Sequence, residues 1–300
     1  MSTLLLKIDD LVEGSVIKRP SKYIKTPYVA DVSMTTKMTL PDDNTYENVL
    51  AHTASLGCCG LADVGAKILM TKIPILGKKS KIDCQEKEKI KCQYRVYLSV
   101  LKEKEHEIII GIHPKLAEDL TEAAVKNNLL SKLLNVKSYK RETVIFVKDQ
   151  VDSRFDFSGI DSSGTPFIME VKNVPLADYE DITAKERKKQ CYNDRDRNSK
   201  VAYFPDGYRK KSTDTVSPRA LKHIQELTHI KSISKTRCIM CYVIQRTDVN
   251  RFQPSVIDPE YRNAFIKAVS FGVEIITMVV EWNRNGEARF VTDCLPISPL

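Results

Sequence analysis

Residues 153–173 read SRFDFSGIDSSGTPFIMEVKN. Three ionisable side chains, Asp156, Glu170 and Lys172, stand there among Phe, Ile, Met and Val. Charged groups keep such company when they are paired, hold a metal or do chemistry. Two apolar runs flank turn-type residues at Ser162, Ser163 and Gly164, so the segment reads as a β-hairpin. Side chains alternate faces along a strand, which puts Phe155 and Phe157 on one face and Asp156 on the other. With the loop at 162–164, residues 156 and 170 face each other with Cβ atoms about 4.5–5.5 Å apart. Two carboxylates that close repel, and a divalent cation such as Mg²⁺ or Mn²⁺ between them removes the repulsion. Lys172 projects beside them. The set suits phosphoryl chemistry, with carboxylates holding a cation and a lysine orienting water or neutralising charge. The plain alternative is a solvent-facing ion pair of Lys172 with either carboxylate, and the spacing alone does not choose.

The elements around the hairpin change character along the chain. SVIKR, YVADVSM and LADVGAKILMTKI read as short strands, and residues 76–91 as a long charged loop. YRVYLSVLKEKEHEIIIGI reads as a strand, a charged turn and a strand. Together these predict a small β-barrel or sandwich. HPKLAEDLTEAAVKNNLLSKLL then shows helical spacing. SPRALKHIQELTHI reads as a helix capped by Ser217, with Pro218 in its first turn. DPEYRNAFIKAVSFG reads as another, capped by Asp258 and stopped by Gly272. CIMCYVIQR and VEIITMVVEW read as strands. Strands alternating with helices predict an α/β layer, with a boundary near residues 110–115.

The chain has 300 residues, 42% hydrophobic and 29% charged, enough for one large domain or two. A net charge of +8 favours a polyanionic partner. The apolar start MSTLLLKIDDL is too short for a signal peptide, and no apolar run reaches the roughly 18 residues of a membrane span. We therefore expect an intracellular protein, cytoplasmic or nuclear, with no membrane partner. Of the eight cysteines only Cys238 and Cys241 form a CxxC, inside a strand-like run, which predicts reduced structural thiols.

The order of SRFDF, EVKN, FPDG, ALKHIQEL, RFQPSVIDPEY and GVEI resembles the sugar fermentation stimulation protein A (SfsA) family. That family runs SR-x-DF, EVKSVTL, FPDA, RGQKHL-x-EL, an Asp-x-x-Tyr helix and GVE. The resemblance spans essentially the whole chain and is strongest from about residue 139 onward. It implies an OB-like barrel over 1–112, then a PD-(D/E)XK, restriction-endonuclease-like α/β domain over 113–300. It also implies DNA binding and metal-dependent phosphodiester hydrolysis. Carried over by position, Asp156 is the central metal ligand, Glu170 the second carboxylate and Lys172 the catalytic lysine, with Glu142 a candidate third acid. Arg154, Arg219, Lys222 and His223 fall near the site as nucleic-acid contacts. Leu221 stands where the family has Gln, and Ser55-Leu56-Gly57 where it has Asn-Thr-Gly. Glu118-Asp119, counted with the barrel surface, replace Asn-Arg.

Between EVKN and FPDG the chain is longer than the family's and basic, an insertion at about 178–211. Lys185, Arg187, Lys188, Lys189, Arg209, Lys210 and Lys211 lie in it, with Tyr192, Tyr203 and Tyr208 interleaved. It reads either as a track for a phosphate backbone with stacking rings, or as a solvated insertion. The functional expectation is a Mg²⁺-dependent nuclease acting on DNA. The alternatives are a DNA-binding regulator that kept the fold but cuts nothing, and an RNA-binding or RNA-processing protein.

Overall fold

The computed structural model describes residues 2–37, 44–54, 60–74, 91–187, 189–192, 194–205 and 215–299. It divides into a smaller unit, residues 8–113 with 284–286, and a larger one holding the rest. Strand β1 (Leu4–Lys7) opens the chain and belongs to the larger unit.

The smaller unit is built from β2 (Val12–Lys18), β3 (Val29–Lys37), β4 (Asn44–His52), β5 (Lys67–Lys72), β6 (Tyr94–Glu103) and β7 (His106–Gly111). Strand β2 pairs with β3 and β5, β3 with β4, and β5 with β6, all antiparallel. A parallel contact of β4 with β6, Ala51 opposite Tyr94, closes the circuit. Five strands therefore form a barrel, and β7 extends β6 as the expected hairpin. Its interior is filled by Val16, Val32, Val49, Ile68, Met70 and Val96. Gly14 allows the close approach of β3, since a Cβ there would lie 2.4 Å from Val32 Cγ1. The expected strand 61–73 shortens to 67–72, and the expected loop 76–91 lies, but for Lys91, outside the described residues.

The larger unit starts with α1 (Pro114–Lys126), followed by β8 (Ser138–Val147), β9 (Val151–Ile160), β10 (Pro166–Val174), β11 (Ala177–Asp178) and α2 (Ala184–Arg187). Then come β12 (Lys200–Phe204), α3 (Pro218–Ile233), β13 (Arg237–Ile244), β14 (Val249–Pro254), α4 (Pro259–Ser270), β15 (Glu274–Trp282) and β16 (Glu287–Thr292). Strands β10, β13 and β15 are parallel, and β9 and β8 continue from β10 antiparallel. Strand β16 pairs with β15 and with β1. A small second sheet runs β11-β12-β14. Thr121 of α1 meets Cys241 on one side of β13, while Tyr242 on the other meets Phe252, Phe265 and Tyr261. The unit is thus a mixed α/β layer with helices on both faces of its central strands.

Local chemistry sets the element ends. Ser217 Oγ accepts the Ala220 N–H and Asp258 Oδ1 the Tyr261 N–H, as the caps require. The helix expected over 113–134 ends at Lys126, because Asn128 takes a φ of 54° and Asn127 turns its amide onto the Ala123 carbonyl. In the β9–β10 turn, Asp161 Oδ1 accepts the Ser163 and Thr165 N–H groups, and Gly164 supplies a φ of 91°. Cys238 and Cys241 are buried free thiols pushed up to about 12 by that burial, which fits the structural reading. No helix among the described residues is long and apolar enough to cross a membrane.

Glu118 and Asp119 are not barrel residues. They lie on α1 in the larger unit and, with Glu122, grip Arg141 of β8 at 2.7–2.9 Å. Arg141 also covers the Phe157 ring. Arg141→Ala should leave three neighbouring carboxylates without their shared cation. Because the group is partly solvated, a loss of about 1–2 kcal/mol is expected in urea unfolding. An unchanged midpoint would show that the clamp contributes nothing to stability.

Candidate active site

Strand β9 carries Asp156, and β10 carries Glu170 and Lys172. The final pair of the hairpin ladder, Phe157 with Met169, brings 156 and 170 next in line, as the loop length implies. Instead of a backbone partner, the Val171 N–H takes Asp156 Oδ2 as its acceptor at 2.7 Å. On the other side, the β8–β9 ladder runs from Arg141–Phe157 to Thr143–Phe155 and skips Glu142–Asp156. Glu142 there has a φ of 54°. Asp156 therefore sits at an interruption of both ladders, the kind of irregularity that re-aims a side chain.

The interruption overturns one expectation. Phe155 and Phe157 do not share a face. Phe155 packs with Ile224 and Leu227 of α3 and meets the His223 ring, whereas Phe157 lies against Tyr139 and Arg141, the residues that α1 holds. Alternation fails where the ladder breaks.

Glu170 is 2% exposed. Its Oε1 takes both the Lys172 ammonium and Nδ1 of His223. Its Oε2 is buried and has no hydrogen-bond partner. An unmade bond on a buried carboxylate oxygen costs about 1–3 kcal/mol or more. Burial alone would push Glu170 up, but Lys172 and His223 outweigh it and hold the carboxyl below its ordinary value. Asp156 goes the other way. Burial and then the neighbouring Glu170 charge raise it to about 7. Two adjacent carboxylates driven apart in this way, with an orphaned oxygen between sheet and helix, form a site that wants a cation.

The residues singled out from the sequence do not all come together. Asp156, Glu170, Lys172 and His223 come together. Arg154, Arg219, Lys222 and His223 line one cleft beside them. Glu142 does not join the carboxylates. It is exposed and pairs with Arg154 at 3.4 Å. Lys185 and Lys189 are exposed and enter neither the carboxylate hydrogen bonds nor the cleft lining. The Arg187 side chain and the whole of Lys188, Arg209, Lys210 and Lys211 lie outside the described residues. The basic stretch is not uniformly solvated either, since Lys200 and Tyr203 are buried in β12. Leu221 packs against the α3 core.

Three contributors escaped the sequence reading. The Val171 N–H holds Asp156, Ser153 lines the adjacent cleft, and Glu118 adds a same-sign field that raises Asp156 further. Only Glu118 had a visible signal, an acidic residue on a helix face. Among the described residues, no group of three or more His, Cys, Asp or Glu side chains could hold a metal, so a cation here would rest on the carboxylate pair.

The chain is similar to several known proteins. Residues 186–286 match the family model described as the sugar fermentation stimulation protein RE domain. A sugar fermentation stimulation protein homolog of Prochlorococcus marinus (strain MIT 9301) is 27% identical over 95% of this chain and 96% of its own length. A homolog from Shewanella sp. (strain ANA-3) is 31% identical over 56% of this chain and 58% of its own. A solved structure, SfsA of Pyrococcus furiosus in complex with Ca²⁺, superposes with a TM-score of 0.64 over 99% of this chain and 100% of that one, at 18% identity. With the motif order, the fold and relatives matched along nearly the full length, the chain is similar throughout to the sugar fermentation stimulation protein (SfsA) family.

Proposed function

We propose that this protein is a nucleic-acid-binding, divalent-cation-dependent phosphodiesterase, with DNA as its preferred substrate. The observation that carries the reading is the buried pair Asp156–Glu170, with one carboxyl raised to about 7 and one oxygen of the other unpartnered. The two carboxylates fit a cation, and the Pyrococcus furiosus relative, solved in complex with Ca²⁺, supports a divalent one. Mg²⁺ or Mn²⁺ is the proposed ion. Such an ion, bound by Asp156 and Glu170, supplies Lewis acidity toward a phosphate oxygen and lowers the pKa of water. Lys172 and His223 fix Glu170 from two sides, so its free oxygen keeps one direction. The Lys172 ammonium also stands where it can orient a nucleophile or offset developing negative charge.

The fold supports the same reading. The barrel of the smaller unit, with β2 paired to β3 and β5 and with β4 parallel to β6, supports the proposed OB-like reading, a fold that often binds single strands. In the larger unit, a helix, a hairpin carrying D-x(13)-E-x-K and a crossover helix bearing His223 support the proposed PD-(D/E)XK reading.

The test is incubation of labelled single- and double-stranded DNA and RNA with Mg²⁺, Mn²⁺ or EDTA, read on a denaturing gel. Cutting that needs the metal is expected, with DNA cut faster than RNA. Binding that ignores EDTA and yields no product would replace this reading with a non-catalytic binding protein, and preferential RNA cutting would reverse the substrate.

The pH dependence follows from Asp156. Its folded value, about 7, lies above its ordinary 3.8, so the folded protein holds that proton more tightly than the unfolded chain does. Without a cation, this group therefore lowers stability as pH rises from about 4 to about 7, and no further above that. A cation must displace the proton. Cation affinity should rise about tenfold between pH 6 and pH 8 and then level off. Calorimetric titration checks this, and a flat profile would dismiss Asp156 as ligand.

A further inference from the structure

Beside the carboxylates lies a second, differently charged feature. A cavity of about 420 Å³ opens between β9 and the first turns of α3, lined by Asp152, Ser153, Arg154, Pro218, Arg219, Lys222 and His223. Three fixed cations face one carboxylate there. Helix α3 runs sixteen residues, and its first turn, capped by Ser217, points its amide end at the same space. Ser153 is an independent pointer. It is 7% exposed, lines the cavity, and its hydroxyl has no hydrogen-bond partner. A buried hydroxyl without a partner is rare in a folded protein unless a ligand, ion or water satisfies it.

Two of the cations are positioned. Lys222 Nζ is held by the Asp152 carbonyl at 2.6 Å and lies 3.7 Å from Glu226, which also takes the Asp152 N–H. Arg154 reaches Glu142 with one nitrogen, and guanidinium has donors to spare. Two arginines, a lysine, a hydroxyl and a helix N-terminus are the donor set of a phosphate, a tetrahedral anion with several acceptor oxygens. A bare cation would be repelled. His223 belongs to this cavity and also touches Glu170, so the two sites share a wall.

We infer that this cavity is a phosphate-binding subsite, one that seats a phosphate group of the substrate strand next to the one processed at Asp156 and Glu170. The phosphate assignment rests on the cavity itself, while its source in a nucleic-acid strand rests on the proposed function above. The phosphate is either a strand terminus or an internal phosphodiester, and the experiment separates them.

Inorganic phosphate would be titrated into the full chain in EDTA at low salt, followed by calorimetry. Saturable binding is expected, weakened about tenfold or more by Arg219→Ala with Lys222→Ala. Ser153→Ala, nearly isosteric, should weaken it severalfold without disturbing the fold. Lys115→Ala, on α1, should change nothing. Asp156→Asn should keep phosphate binding while losing cleavage, so failure of the nuclease reading is distinguishable from failure of this one. Oligonucleotides with a 5′-phosphate, with a 5′-hydroxyl and as circles are then compared. Preference for the phosphorylated end assigns a terminal phosphate, and equal binding assigns an internal one. Phosphate that fails to saturate, or that binds the Arg219/Lys222 variant as it binds wild type, overturns the subsite. Phosphate binding with no affinity for any strand overturns the strand as its source.

Discussion

Asp156→Asn should abolish metal-dependent cleavage, by a factor of about 10³ or more, while leaving the protein at least as stable as before. The two halves of this expectation have one cause. Asp156 is held at a gap between β8, β9 and β10, and its Oδ2 accepts the Val171 N–H. An asparagine carbonyl can accept the same bond, so the hairpin keeps its geometry. What disappears is the negative charge, which burial and Glu170 already make unfavourable near neutral pH. Removing it relieves the repulsion, as substitutions at strained functional sites often do. The measurements are cleavage on a gel and thermal melting in EDTA. Cleavage within tenfold of wild type would sink the assignment of Asp156 as cation ligand. A clear fall in melting temperature would show that the charge stabilises the fold. Lys172→Met should lose activity similarly, but it should destabilise modestly, because Glu170 then keeps only His223.

The carboxylate pair was legible because a hairpin is local. The turn residues at 162–164, the apolar alternation and the D-x(13)-E-x-K spacing lie within one short segment, and the facing of 156 and 170 follows from loop length alone. Helix caps at Ser217 and Asp258 were legible for the same reason. The change of face between Phe155 and Phe157 was not. It accompanies the ladder break at Asp156, opposite which Glu142 takes a left-handed φ, and a glutamate carries no sequence signal for that conformation. The grip of His223 on Glu170 and the place of Ser153 in the cleft depend on how α3 lies over β9, a contact between residues some seventy positions apart. Strand β1 is a further case. Its partner is β16, at the opposite end of the chain, and no local pattern announces such a pairing. Charge composition misled in one place. Lys200 looked like part of a solvated basic run, yet it is 4% exposed.

That lysine belongs to the most deeply buried ionic group described in the larger unit, and disrupting it should cost the most stability. Asp248 binds Arg246 through two nitrogens, each at 2.6 Å, and Lys200 Nζ also at 2.6 Å. Arg246 further donates to the Pro175 carbonyl, and the Lys200 ammonium lies over the Tyr179 ring. The group ties the end of β10 and the start of β14 to β12, and so fixes the small sheet against the core. Burial would raise the Asp248 carboxyl, but its arginine and lysine partners prevail and hold it below its ordinary value. Such a group is worth little against an apolar replacement of the whole set, yet removing one member strands the others. Asp248→Asn leaves two buried cations facing a neutral amide and should cost about 3–5 kcal/mol. Lys200→Met keeps the bidentate Arg246–Asp248 pair and should cost much less, about 1 kcal/mol. Because Asp248 is ionised at neutral pH, its contribution should fade as pH falls through its lowered folded value and be fully present above its ordinary one. Urea unfolding of both variants decides the matter. If Asp248→Asn were no more destabilising than Lys200→Met, the carboxylate would not be the centre of the network, and Arg246 would have to be held chiefly by the Pro175 carbonyl.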